Sequence, residues 1–208
     1  MENSDLYGWL MTGSHHSACD RFDAHIVAST ISLALAESTR EGRSLSSAVG
    51  LEWPILTTFV TETFPHAQER LASLETTEPV VLAPDEACLR DLLLKCTTLG
   101  TPFQERLAAV VARRAQRPNH LWQDLGLRNR RELSWLMGRH FEWLASRNGQ
   151  DMKWKKFLYR TICRDESFPI CTAPSCAECC DFEGCFGDES GESLLAISRR
   201  AAERSIGR

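Results

Sequence analysis

No stretch of the 208-residue chain alternates apolar and polar residues; its apolar residues return every three or four positions. That period belongs to helices, and strands need the other one. The punctuation agrees. Asp20 precedes Phe22, Ile26, Ser29, Leu33 and Ala36, and Gly42 ends that run. Trp53-Pro54 opens a second pattern, since proline is tolerated in a first helical turn, and Pro65 closes it. Residues 75–84 read as a linker. Asp85 is placed to cap Leu89, Leu92, Leu93 and Cys96, with Gly100 as the stop. Thr101 and Gln104 have capping-box spacing around Pro102, and Phe103, Leu107, Val110, Val111 and Arg114 continue toward Pro118.

The segment from Asn119 to Gly126 predicts a short capped helix with a glycine stop. Asn129 and Glu132 then open the longest pattern, Leu133, Leu136, Met137, His140, Phe141 and Leu144, which Gly149 closes. Asp151 is placed to cap a last helix whose inner face is Trp154, Phe157, Leu158 and Ile162. The expected fold is all-α, a single helical domain with a C-terminal cysteine-rich metallocluster loop.

The length suits one medium domain, and a hydrophobic fraction of 43% is that of an ordinary globular chain. Three regions are expected: residues 1–84, helical with a loose arm over 1–18 that carries His15 and His16; residues 85–190, a helical core with the cysteines; and a polar tail, 191–208. A net charge of −4 gives no bulk case for nucleic-acid binding. No run of 18 apolar residues is present, so no membrane span is expected. Met1-Glu2-Asn3-Ser4-Asp5 lacks a basic n-region, and a cytoplasmic protein is expected. The sequence contains no Ser–His–Asp arrangement, no phosphate-cradling glycine loop and no HExxH, so neither a hydrolase nor a nucleotide-driven enzyme is supported.

Six of the nine cysteines fall between Cys163 and Cys185, in a run written Cys171-x4-Cys176-x2-Cys179-x5-Cys185. The run has little else apolar with which to bury four thiols. In a chain that is not exported, such a cluster points to metal or redox chemistry rather than a disulfide framework. Ordering each loop residue costs roughly 1–2 kcal/mol, and a thiolate-bound structural metal returns on the order of 10–16 kcal/mol. Three chemistries fit the spacing. An iron–sulfur cluster is one, because Cys171-x4-Cys176-x2-Cys179 matches the first three ligands of plant-type ferredoxins. A four-thiolate zinc site in an interaction module is the second, and redox thiol chemistry the third.

Cys180 follows Cys179 directly and is a spare or substitute ligand, while Cys163 ends the preceding helix as a packing residue or, alternatively, a fifth ligand. Cys88 and Cys96 lie on an apolar pattern and are expected in the core. Lys153, Lys156, Arg160 and Arg164 recur at three and four residues and form a basic face leading into the cysteines, either a solvated face or one that attracts an anion. His120 and His140 are packing or hydrogen-bonded residues that become auxiliary ligands only if the fold brings them to the thiols. The acidic residues after the run, Asp188, Glu189 and Glu192, are a solvated tail or a docking patch.

Arg117-Pro-Asn-His-Leu-Trp-Gln-Asp-Leu-Gly-Leu127, Arg139-His140-Phe141, Asp151-Met-Lys-Trp-Lys-Lys-Phe157 with Tyr159-Arg160, and the cysteine run ending Cys185-Phe186-Gly187 together resemble the NifQ family of nitrogen-fixing bacteria. The resemblance covers roughly residues 85–190, and the first third carries no comparable motif. It implies a protein that takes up molybdenum, with molybdate as metal source, and carries it as a molybdenum–iron–sulfur cluster of the Mo-3Fe-4S type. The implied cluster ligands are Cys171, Cys176, Cys179 and Cys185. The implied partners are the scaffold of the nitrogenase iron–molybdenum cofactor, the NifEN complex, and the nitrogenase iron protein, with no nucleic acid and no membrane. The implied role is a donor rather than an enzyme. A ferredoxin-like electron carrier and the zinc module are the alternatives.

Overall fold

A computed structural model describes residues 6–13, 20–165, 189 and 191–198 of the chain, and every regular element among them is helical. In chain order these are α1 (Leu6–Thr12), α2 (Arg21–Glu41), α3 (Leu45–Val49), α4 (Trp53–Thr63), α5 (Gln68–Ala72), α6 (Pro84–Lys95), α7 (Pro102–Ala115), α8 (Leu121–Asp124), α9 (Arg130–His140), α10 (Glu142–Arg147) and α11 (Trp154–Asp165). A 3-10 turn, Pro65–Ala67, joins α4 to α5.

Helix α2 is the axis of the molecule. It is buried along most of its length, and small residues on it (Ala24, Ala28, Ser29, Ser32) let neighbours approach closely. The connection between α8 and α9 uses that room. Gly126 has φ +72°, and a Cβ there would stand 2.6 Å from the Ser29 carbonyl oxygen. Only glycine fits both the left-handed backbone and the contact. Thr30 Oγ1 donates to the Leu125 carbonyl at 2.9 Å, fixing the same turn. One hydrophobic cluster runs from Leu6 and Leu10 through Phe59, Leu93, Leu107 and Phe141 to Trp154 and Leu158. The most extensive helix pairing is that of α6 with α7.

Several sequence-predicted caps are where the residue types put them. Asp20 accepts from the Phe22 N–H at 2.8 Å, and Gly42 ends α2 with φ 65°. Thr101 and Asn129 accept from the N–H groups of Gln104 and Glu132. Others differ. Helix α6 begins at Pro84 with Ala83 as its cap, so Asp85 lies inside the first turn, and the helix ends at Lys95 rather than near Gly100. The Gln104 side chain does not turn back to Thr101; its amide oxygen accepts from the Leu99 N–H at 2.7 Å.

The long pattern from Asn129 to Gly149 is two helices. Phe141, with φ −139°, breaks it, because the loop before α7 takes over the backbone there. Thr98 N–H donates to the His140 carbonyl at 2.9 Å, and Glu142 N–H donates to Thr98 Oγ1 at 3.1 Å. Asp151 is likewise not a cap. It has φ 54° in the bend before α11, a bend closed by two bonds of 2.9 Å between the Asn148 amide and the Met152 backbone.

Residues 6–12 are not a loose arm. Leu6 and Leu10, one turn apart, bury against the core, and the Tyr7 hydroxyl meets His25 Nδ1 at 3.0 Å. His15 and His16 lie outside the described residues. Among the described residues no helix is long and apolar enough to cross a membrane.

Candidate functional site

Helix α11 delivers the chain to the cysteine run, so what seats α11 positions the candidate site. Trp154 and Leu158 face inward and are buried. Each contributes about 1.5–3 kcal/mol by leaving water. Between them, Lys155 reaches into the body. Its Nζ donates to Asp124 Oδ2 at 2.5 Å and to the Arg117 carbonyl. The Asp124 side chain is 0% exposed and that of Lys155 is 19% exposed. Burial lowers the Lys155 ammonium below its usual range, against the pull of Asp124. Asn119 Nδ2 donates to the other Asp124 oxygen at 3.0 Å, and Gln116 Nε2 donates to the Tyr159 hydroxyl at 2.8 Å. Burial pushes that hydroxyl up, and Asp85 adds to the effect.

The network continues to α2. Arg114 is fully buried; its Nε donates to the Asp124 carbonyl at 2.5 Å and its Nη1 to Glu37 Oε2 at 2.7 Å. Arg117 forks onto both Glu41 oxygens, at 2.6 and 3.1 Å, which raises the guanidinium and lowers the carboxyl. The two motifs Arg117–Leu127 and Asp151–Phe157 are therefore halves of one buried ionic arrangement, which holds the root of the cysteine segment. Sequence spacing alone missed Glu37, Arg114 and the Asp124–Lys155 pair. The available signal was the charge of Asp124 and Lys155 on otherwise apolar helical faces.

The other end of the segment is also tied down. Glu189, four residues past Cys185, is not solvated; its side chain is 6% exposed. One carboxylate oxygen accepts from Arg130 Nη1, and the other stands 3.3 Å from His120 Nδ1. Gln123 Nε2 donates to the Glu192 carbonyl at 3.0 Å. Arg130 also donates to Asp151 Oδ1 at 2.8 Å. Burial works against the Arg130 guanidinium, but Asp151 and Glu189 outweigh it and hold the group above its usual range.

Cys171, Cys176, Cys179, Cys180 and Cys185 lie outside the described residues, as does the side chain of Cys163 on the last turn of α11. Among the described residues, no three His, Cys, Asp or Glu side chains are grouped as for a metal ion. His120 stands at the exit of the segment, against Glu189. His140 is in the core, 4% exposed, with Nε2 at 3.0 Å from Asp23 Oδ1 and Nδ1 at 3.3 Å from Gln104 Nε2. Both of its ring nitrogens are thus committed to the packing of α2, α7 and α9. A second core histidine, His25, was not singled out from the sequence; its Nε2 meets Glu132 Oε2 at 3.1 Å. Of the expected basic face, Lys156 is exposed while Lys153 and Arg160 are half-buried. Arg160 borders an open depression of about 270 Å3 together with Arg147, Asn148 and Phe157. Neither Cys88 nor Cys96 is in a disulfide; Cys96 is buried as expected, whereas Cys88 is only half-buried.

Comparison with known proteins extends the likeness well beyond the residues that first suggested it. The family model described as NifQ matches residues 5–187. The "Protein NifQ homolog" of Sinorhizobium fredii (strain NBRC 101917 / NGR234) is 38% identical over 182 residues, 88% of this chain and 79% of that protein. "Protein NifQ" of Rhodobacter capsulatus is 41% identical over 51% of this chain and 59% of its own length. That of Azotobacter vinelandii is 40% identical over 49% of this chain and 52% of its own. No solved structure matches the chain. With nearly its whole length inside the family pattern, the chain belongs to the NifQ family.

Proposed function

We propose that this protein serves nitrogen fixation by binding molybdenum in a molybdenum–iron–sulfur cluster and donating it to assembly of the nitrogenase iron–molybdenum cofactor. Molybdenum is its cargo. The ligands are the thiolates of Cys171, Cys176, Cys179 and Cys185, and the receiver is the cofactor scaffold, the NifEN complex, acting with the nitrogenase iron protein in the cytoplasm. Thiolates suit iron, and molybdenum once it is bridged by sulfide. The protein acts as a carrier and performs no catalytic step of its own.

The observation that carries this reading is the donor set itself: four closely spaced cysteines, in a chain of this family, following directly on α11. The seating of α11 and the inward turn of Glu189 support it, because a site that hands on its contents needs fixed ends and an accessible middle. The test is anaerobic isolation from cells grown with and without molybdate. Iron, sulfide and molybdenum are expected in the brown protein from the first culture, with molybdenum absent from the second. A colourless protein holding one zinc, or iron that never gains molybdenum, refutes the reading. Single Cys→Ser changes at the four positions are each expected to abolish molybdenum loading.

A further inference from the structure

The first turn of α9 opens onto a depression of about 570 Å3, lined by Trp122, Arg128, Asn129, Arg130, Arg131 and Glu189. Four independent features there favour an anion. Three of the lining residues carry guanidiniums; Arg128 is paired with Glu132 at 2.6 Å and Arg130 with Asp151 and Glu189, while Arg131 has no acidic partner among the described residues. The depression sits at the N-terminus of an eleven-residue helix, where Asn129 caps the Glu132 N–H and the aligned peptide dipoles add partial positive charge. Trp122 is 2% exposed, and its indole Nε1–H is buried with no hydrogen-bond partner among the described residues. A buried donor left this way is open to an acceptor, a water or an anion oxygen, as is the Trp154 indole N–H elsewhere in the core. Finally, an anion is already present: the Glu189 carboxylate, on Arg130 and His120.

We propose that this depression is a binding site for a small tetrahedral oxyanion, and that the Glu189 carboxylate is the resident anion which such a ligand displaces from Arg130. Arg128 and Arg131 flank the ligand, and the Trp122 indole N–H donates to it. Guanidiniums suit this task because their forked N–H groups match two oxyanion oxygens at once. Glu189 lies four residues past Cys185, so its displacement removes one of the ties at that end of the segment and leaves Gln123 on the Glu192 carbonyl. The site stands on these contacts alone; that molybdate is its natural ligand rests on the function proposed above.

The experiment titrates the full-length protein with molybdate, tungstate, sulfate and phosphate, following heat of binding and the indole N–H resonance of Trp122. Binding that shifts this resonance is expected. Glu189→Gln is expected to tighten binding about tenfold and Arg131→Glu to weaken it about tenfold, one charge-assisted contact in each case. Arg131 is exposed, so that variant leaves the fold intact. Cys171→Ser is expected to change nothing. The proposal is overturned if Glu189→Gln leaves affinity unaltered, if none of the four anions binds either protein at millimolar concentration, or if Cys171→Ser abolishes binding and so moves the anion to the thiols. Equal binding of sulfate and molybdate keeps the oxyanion site and removes molybdate as its particular ligand. Failure here with molybdenum still loaded in cells overturns the site and leaves the donor function standing.

Discussion

Lys155→Met is the sharpest test of how the cysteine segment is rooted. The Lys155 ammonium lies 2.5 Å from Asp124 Oδ2, and Asp124 is 0% exposed. Removing the cation leaves a carboxylate with no access to water and only the Asn119 amide as side-chain donor. Breaking a buried pair from one side costs about 3–5 kcal/mol, against a total stability on the order of 5–15 kcal/mol. For a chain of this length, each kcal/mol corresponds to about 2–4 °C in melting temperature, so a fall of roughly 6–20 °C is expected. Asp124→Asn should cost less, because the Lys155 side chain is 19% exposed and its ammonium can turn toward solvent. The double variant, Lys155→Met with Asp124→Asn, should recover part of the loss, giving a coupling of about 0.5–3 kcal/mol. Urea unfolding followed by circular dichroism measures all three. If Lys155→Met lies within about 1 kcal/mol of wild type, or the two changes simply add, the pair is not what seats α11.

Three further outcomes follow from the geometry. Burial works to raise the Glu132 carboxyl, but hydrogen bonds from His25 and the Arg128 N–H, together with the nearby charges, bring it down from 4.5 to about 2. A lowered carboxyl contributes stability above its unfolded value and loses it as pH falls through the folded one. About 3 kcal/mol should therefore disappear between roughly pH 4.5 and pH 2. Glu132→Gln should lack that acid slope and be less stable at pH 7; parallel curves would remove the His25–Glu132 contact from the account. Gly126→Ala should be far more damaging than Gly100→Ala, since the first meets the Ser29 carbonyl and the second meets open space. Thermal melts should show about 1 kcal/mol for Gly100→Ala and several times that for Gly126→Ala. Leu10→Ala should cost about 2–5 kcal/mol if α1 is part of the core, and an unchanged melting point would return residues 6–12 to the status of an arm.

Helix identity was legible in the sequence because period and punctuation are local. Asp20, Thr101 and Asn129 cap with their own side chains, and Gly42 supplies a left-handed stop, so each needs only its near neighbours. What escaped depends on distant partners. Nothing around Phe141 signals a break; Thr98, more than forty residues earlier, takes the backbone groups of His140 and Glu142. Asp85 and Asp151 have cap chemistry and do other things, Asp85 because Pro84 already starts the helix and Asp151 because Arg130 holds it in the bend. Leu6 and Leu10 are too short a pattern to stand out until α2 is there to receive them. The thiol set reads from its spacing as a candidate ligand set open to three chemistries, and it lies outside the described residues. The ion pairs that root it were not legible, because a charged residue reads as surface until its partner is known.

On the function proposed above, the tethering of both ends bears on how tightly the cargo is held. Between α11 and Glu189 the chain has 23 residues, 166–188. Bringing together the ends of a free loop that long costs on the order of 3 kcal/mol, from the logarithmic dependence on length. The folded body has already met that cost through Lys155 and Asp124 at one end and Arg130 with His120 on Glu189 at the other. On the function proposed above, cargo bound between them is expected to be correspondingly tighter than on a segment fixed at one end only. Releasing Glu189 gives back a share of that advantage without touching a single thiol. On the function proposed above, a hold that depends on the Glu189 carboxylate is loosened by a contact outside the proposed ligand set. For the same reason Glu189→Gln should weaken metal retention while leaving the four cysteines and the root on α11 intact.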